Sequence, residues 1–176
     1  MRSAPRKHSS EATLYTAALS ALVRRAHSTF EMRVYLERRA TTTGLARQVV
    51  ARLKREKLID DGRYAVEFAR SRANFRRQGR YRIARELRAR GVPDRHIEAA
   101  VAQVFAETNE ADVVRKLIER RVRAAHGTLD AKRMASLYRT LMRAGFDAGL
   151  IRRELQAAAR ASADDPPDFA ALEESI

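Results

Sequence analysis

Three sets of residues in this sequence are of types that could do chemistry. The first is an acid pair, Asp60 and Asp61, which opens the stretch LIDDGRYAVEFARSRANFRRQGRYRIAREL. Paired carboxylates can act as acid and base or hold a divalent cation, but either role needs further groups at a defined spacing. No histidine is near in sequence, and Glu56 and Glu67 match neither a metal loop nor an acid pair. Helix capping needs nothing more. Asp60 at the N-cap accepts free backbone N–H groups, and Asp61 complements the positive end of the helix. The second set is His8, His27, His96 and His126, which are scattered and form no two-histidine motif. The chain also lacks cysteine, a glycine-rich phosphate loop and a nucleophile elbow. No catalytic residue, metal site or cofactor is therefore expected, and an enzyme is not the reading.

The third set is arginine. Arg70, Arg72, Arg76, Arg77, Arg80, Arg82, Arg85, Arg88 and Arg90 crowd one stretch that holds a single acid, Glu86. A second run, RKLIERRVRAAH, adds Arg115, Lys116, Arg120, Arg121 and Arg123. The whole chain carries a formal charge of +14, which speaks to partners rather than to fold. Any one arginine is most simply a solvated surface group. The cluster points to a polyanion or an acidic protein face, because the guanidinium fork fits phosphate and carboxylate alike. Phe75 and Tyr81 stand among these arginines.

The elements that hold these residues repeat. MRVYLERRATTTGLARQVVARL, RIARELRARGVPDRHIEAAVAQV and SLYRTLMRAGFDAGLIRRELQAA align without an internal gap. Met32, Ile83 and Leu137 correspond, as do Leu36, Leu87 and Leu141, then Ala40, Gly91 and Gly145, then Ala46, Ile97 and Ile151, and last Val50, Val101 and Leu155. Residues four apart share a helix face, so each unit predicts a helix, a glycine stop and a second helix. Ala40 stands where the other units have glycine, so the first turn must differ. Tyr81 aligns with Phe30 and Ala135, which assigns it to the core. A third helix precedes each pair, at about Glu11–Ala26, Asp61–Arg77 and Glu110–Ala125. Ser28 with Glu31 forms a capping box. Asn109, Asp130 and Asp147 mark further helix starts.

The expected fold is all-α: about nine helices in tandem three-helix modules, stacked into an elongated, curved repeat. The modules run 11–59, 60–108 and 109–161. They follow a disordered N-terminus, 1–10, and precede an acidic flexible tail, 162–176. No apolar run approaches the about 20 residues of a membrane span. The first helix has a polar stripe through it, so it reads as amphipathic rather than as a signal segment.

Particular residues resemble those of a known family. Ala18, Leu19, Leu22, Arg25, Ser28, Glu31, Met32 and Leu36 resemble the opening pattern of the RecX family. Asp60, Asp61, Tyr64, Ala65, Arg72, Gly79, Ile83, Leu87, Gly91 and Val92 resemble its central signature. The likeness covers residues from about 12 to 160 and is loosest in the third module. Ala40 departs from the family's usual glycine, and Tyr81 stands where a proline is common. The resemblance implies a cytoplasmic, monomeric regulator, mainly an inhibitor, of the RecA recombinase. It implies binding to the RecA–single-stranded-DNA filament and limits on filament growth, ATPase, strand exchange and coprotease activity. Single- and double-stranded DNA would be bound weakly and without sequence preference, and no membrane is involved. The residues expected to dock on filament or DNA are Arg70, Arg76, Arg77, Arg80, Arg82, Arg85, Arg88, Arg115, Lys116, Arg120, Arg121 and Arg123. Ser28, Glu31, Asp60, Asp61, Gly91 and Gly145 are expected as structural caps. The alternative is a stand-alone DNA-binding protein of helix-turn-helix type, for which ELRARGVPDRHIEAAV supplies helix, turn and helix. Against it, HIEAAVAQVF offers few side chains able to read base edges.

Overall fold

The computed structural model describes residues 7–124 and 130–161. His126 and the acidic segment 162–176 lie outside the described residues. Nine α-helices are found among the described residues: α1 Glu11–Arg24, α2 Thr29–Glu37, α3 Thr43–Arg55, α4 Asp61–Arg76, α5 Arg80–Ala89, α6 Asp94–Glu107, α7 Glu110–Ala124, α8 Ala131–Ala144 and α9 Ala148–Ala161. No strand occurs among them, and no described helix is long and apolar enough to cross a membrane.

The starts of these helices follow the capping chemistry of the sequence. Ser28 and Glu31 form the reciprocal box at α2. The Asp60 carboxylate accepts the Arg63 N–H at 2.9 Å, so this acid begins a helix. Asp130 and Asp147 accept from Arg133 and Leu150 in the same way. Gly91 and Gly145 sit at φ +68° and +88°, the left-handed region that side chains with a Cβ enter only at a cost. Ala40 takes no such φ. Its short helix ends in a turn whose Ala40 N–H bonds Leu36 O, and Ala40 then pairs with His8. Lys7 and His8 belong to the stretch expected to be disordered. Instead the His8 N–H bonds Arg39 O, the Thr41 N–H bonds His8 O, and Lys7 Nζ donates to Ala40 O.

The described residues form two compact units. One holds those up to Phe68 together with Glu86–Ala100, and the other holds Ala69–Arg85 and those from Val101 onward. The first packs α1, α2 and α3 around Leu14, Met32, Leu36, Val49 and Leu53. The second packs α7, α8 and α9 around Val114, Ile118, Tyr138, Leu141, Phe146 and Leu155. The division falls inside α4, α5 and α6, so the middle module supplies residues to both units.

Each unit contains one joint between successive modules, and the two joints are built alike. In the first unit the Asp61 carboxylate accepts the Thr29 N–H, at the N-terminus of α2, at 2.8 Å. In the second, Glu110 accepts the Arg80 N–H, at the N-terminus of α5, at 3.1 Å. Asp61 and Glu110 are each the first residue of the next module's leading helix. A carboxylate there satisfies a backbone donor that its own helix leaves free. The left-handed glycines complete the joints. A Cβ on Gly91 would lie 2.8 Å from Phe30 Cδ1, and one on Gly145 would lie 2.9 Å from Arg82 Cα and overlap its backbone nitrogen. Asp61 is thus more than a dipole partner. It fastens one module to another.

Glu31 sits at the centre of the first joint. It receives Arg25 Nη1 at 3.0 Å, Arg90 Nη1 at 3.2 Å, the Ser28 N–H at 3.2 Å and the Tyr64 hydroxyl at 3.4 Å. Burial works to raise its pKa. The bonds from Arg25 and Ser28 and the charges of Arg25 and Arg90 outweigh burial and hold it below the ordinary value. A carboxylate depressed in the folded state contributes stability above its unfolded pKa and loses it as pH falls through the folded one. Unfolding midpoints measured downward from pH 5 should therefore fall more steeply for the parent than for Glu31→Gln. Parallel curves would remove Glu31 from this role.

Candidate functional site

The arginines divide into those with partners and those without. Arg70 pairs with Glu107 at 3.2 Å, Arg80 with Glu110 at 2.6 Å, Arg88 with Asp94 at 2.7 Å and Arg90 with Glu31 at 3.2 Å. Arg82 Nη1 donates to Arg143 O at the C-terminal end of α8. Arg115 is held by Glu154 at 3.0 Å and Asp112 at 3.2 Å. The reading of a cluster opposed only by Glu86 is therefore corrected: acids remote in sequence neutralise much of it. Glu110 is the strongest case, being 7% exposed and bonded to both the backbone and the side chain of Arg80. Arg80 and Arg82 thus take part in the joint.

Four arginines converge without such partners among the described residues. Arg76 and Arg77, at the end of α4, and Arg120 and Arg121, on α7, line one cleft of about 730 Å³ in the second unit. Leu117, Leu137, Leu141 and Ala144 form its apolar surface, and Thr140 adds a hydroxyl. None of the described residues lining it is acidic. The two basic runs, more than 30 residues apart in sequence, meet here because α4, α7 and α8 border the same opening. Arg85, Lys116 and Arg123 are exposed but outside this cleft, and Arg123 borders a smaller one between α7 and α9.

Two details single out the rim. Phe75 lies on it with 87% of its surface exposed, in a chain whose other large apolar side chains mostly pack. Arg77 has φ +49°, a left-handed conformation at a helix end where glycine is the ordinary occupant. An arginine there costs about 1–2 kcal/mol relative to an unstrained backbone. Tyr81, assigned to the core by its alignment, is 59% exposed and lies outside the cleft. It precedes the buried Ile83 by two positions, which places it on the far side of α5.

The arrangement can bind anions. Four fixed positive charges around an apolar cleft offer forked donors to phosphate or carboxylate. Among the described residues no group of three or more His, Asp or Glu could hold a metal ion.

Comparison with known proteins agrees with this architecture. Residues 60–101 match the model of the second three-helix domain of RecX. The regulatory protein RecX of Halorhodospira halophila is 40% identical over 151 residues, covering 85% of this chain and 88% of that protein. That of Streptomyces coelicolor is 33% identical over 130 residues, or 74% of this chain and 69% of the relative. Its counterpart in Oceanobacillus iheyensis is 32% identical over 142 residues, which is 81% of this chain but 52% of that longer protein. Among solved structures, RecX from Lactobacillus salivarius superposes with a TM-score of 0.75 at 19% identity. That match covers 85% of this chain and 97% of the other.

Proposed function

The chain belongs to the RecX family, and from that premise we propose that it regulates the RecA recombinase. It binds the RecA–single-stranded-DNA filament in the cytoplasm and limits its growth, ATPase, strand exchange and coprotease activity. The protein acts by occupying a surface, not by catalysis. The observation that carries this reading is the cleft of Arg76, Arg77, Arg120 and Arg121, four cations on one opening with no acid among the described residues that line it. Uncompensated charge of one sign costs self-repulsion in the free protein, and an anionic filament relieves it.

The helix-turn-helix alternative has less support. The exposed residues of α6 are Asp94, Arg95, Glu98, Ala99, Ala102, Gln103, Ala106 and Glu107, of which only Arg95 and Gln103 are donors suited to a base edge. The test is RecA ATPase on single-stranded DNA with increasing amounts of this protein. Inhibition that saturates well below one copy per RecA protomer is the expected outcome for a filament-growth regulator. Unchanged ATPase at equimolar protein would refute the proposal.

A further inference from the structure

A filament of recombinase and DNA offers two anionic faces, protein carboxylates and nucleic-acid phosphates. We infer that the Arg76–Arg121 cleft takes nucleic acid, and specifically a single strand, with phosphates on the four arginines and an unpaired base stacked on Phe75. The inference deepens the regulatory reading and rests on it for its biological setting.

The arginines alone would not choose between carboxylate and phosphate, since the guanidinium fork serves both. Phe75 makes the choice. An 87% exposed phenyl ring on the rim of a basic cleft leaves apolar surface in water beside Arg76 and Arg77. Aromatic rings interleaved with basic side chains are the arrangement by which sequence-tolerant proteins hold a single strand, because every base has a π-face. In a duplex the bases are already stacked on one another, so the ring gains nothing there. The cleft of about 730 Å³ is also of the size range that accommodates a small organic group between its walls.

Arg77 supplies a second, independent argument. Its left-handed φ of +49° is a strained state for an arginine at a position suited to glycine. Among the described residues its side chain has no hydrogen bond or ion pair that offsets that strain, and it borders the cleft. Lys57 shares the left-handed state at φ +55° without bordering the cleft, so the strain at Arg77 bears on the site through its place on the rim.

The test uses the full chain and labelled oligonucleotides without RecA, so that this inference and the regulatory proposal fail separately. Anisotropy titrations of oligothymidylate and of a mixed-sequence duplex are run with the parent, Phe75→Leu, Phe75→Tyr and Arg77→Gly. Loss of one stacked base at about 1–3 kcal/mol corresponds to weakening of about 5- to 150-fold. Phe75→Leu should lose that much for the single strand and nothing for the duplex, and Phe75→Tyr should retain binding. Arg77→Gly should weaken both and lower the salt slope by nearly one phosphate contact. Melting temperatures check that each variant is folded. Equal losses for single strand and duplex, or none with Phe75→Leu, would overturn the inference. Intact oligonucleotide binding by Phe75→Leu, with weakened binding to DNA-free RecA, would instead assign the ring to a protein partner.

Discussion

Replacing Gly145 with alanine should cost about 2–5 kcal/mol, a large part of the stability of a domain this size. Two effects add. A left-handed φ of +88° penalises any Cβ by about 1–2 kcal/mol. The new methyl would also overlap the Arg82 backbone, and forced overpacking adds about 1–3 kcal/mol. The obstruction is backbone, so no side-chain rotation relieves it. The Gly145 carbonyl also accepts the Tyr81 N–H at 3.1 Å, so a shift of this turn loosens the start of α5 as well. Gly44→Ala is the control. Gly44 is the second residue of α3, and the nearest atom to its added Cβ is 3.9 Å away, so alanine there should be neutral or stabilising by up to about 1 kcal/mol. Urea denaturation of both variants decides the matter. A Gly145→Ala protein as stable as its parent would mean that the joint is not close-packed.

The second large effect is on binding. Arg76, Arg77, Arg120 and Arg121 changed together to glutamate should abolish RecA inhibition. The same change should lower the single-strand salt slope by about 3, the value for four phosphate contacts at about 0.7 each. Stability should change little, since no ion pair inside the described protein depends on these four side chains. Arg80→Glu serves as the contrast. It sets a second carboxylate against the buried Glu110 and should destabilise the fold through the loss of a partly buried pair. The two variants separate a docking cation from a structural one. Full inhibition by the folded quadruple variant at every salt concentration would move the docking surface elsewhere.

What the sequence discloses here is whatever chemistry is local. Helix starts at Ser28, Asp60 and Asp130 are readable because cap and capped group lie within three residues. The threefold spacing of buried residues is readable because helix faces recur every three to four positions. Charge compensation is not local. Glu107, Glu110 and Glu154 look like unrelated surface acids until the helices bring them to Arg70, Arg80 and Arg115. Asp61 was legible as a cap-region acid but not as a fastener, because its partner is the N–H of Thr29, and backbone donors leave no mark on a sequence. One signal was nevertheless present. Asp60–Asp61 and Asn109–Glu110 each open the leading helix of a module, a polar cap followed by an acid. The residues that carry the family resemblance, including Arg25, Ser28, Glu31, Asp61, Tyr64 and Gly91, turn out to build the first joint. The candidate cleft owes little to them.

That joint also bears on how such chains can change over generations. Its socket is main chain: the free N–H at the head of α2 or α5, present whatever side chains those helices carry. For this one bond only the plug is encoded, as one acid behind one cap, whereas the Glu31–Arg90 pair and the Gly91–Phe30 contact are particular to the first joint. Asp61 and Glu110 differ in length yet serve the same geometry, so even the plug tolerates drift. Each module can therefore diversify its outer arginines while its coupling to the next stays intact. A duplicated or excised module would meet its new neighbour with this one contact already in place.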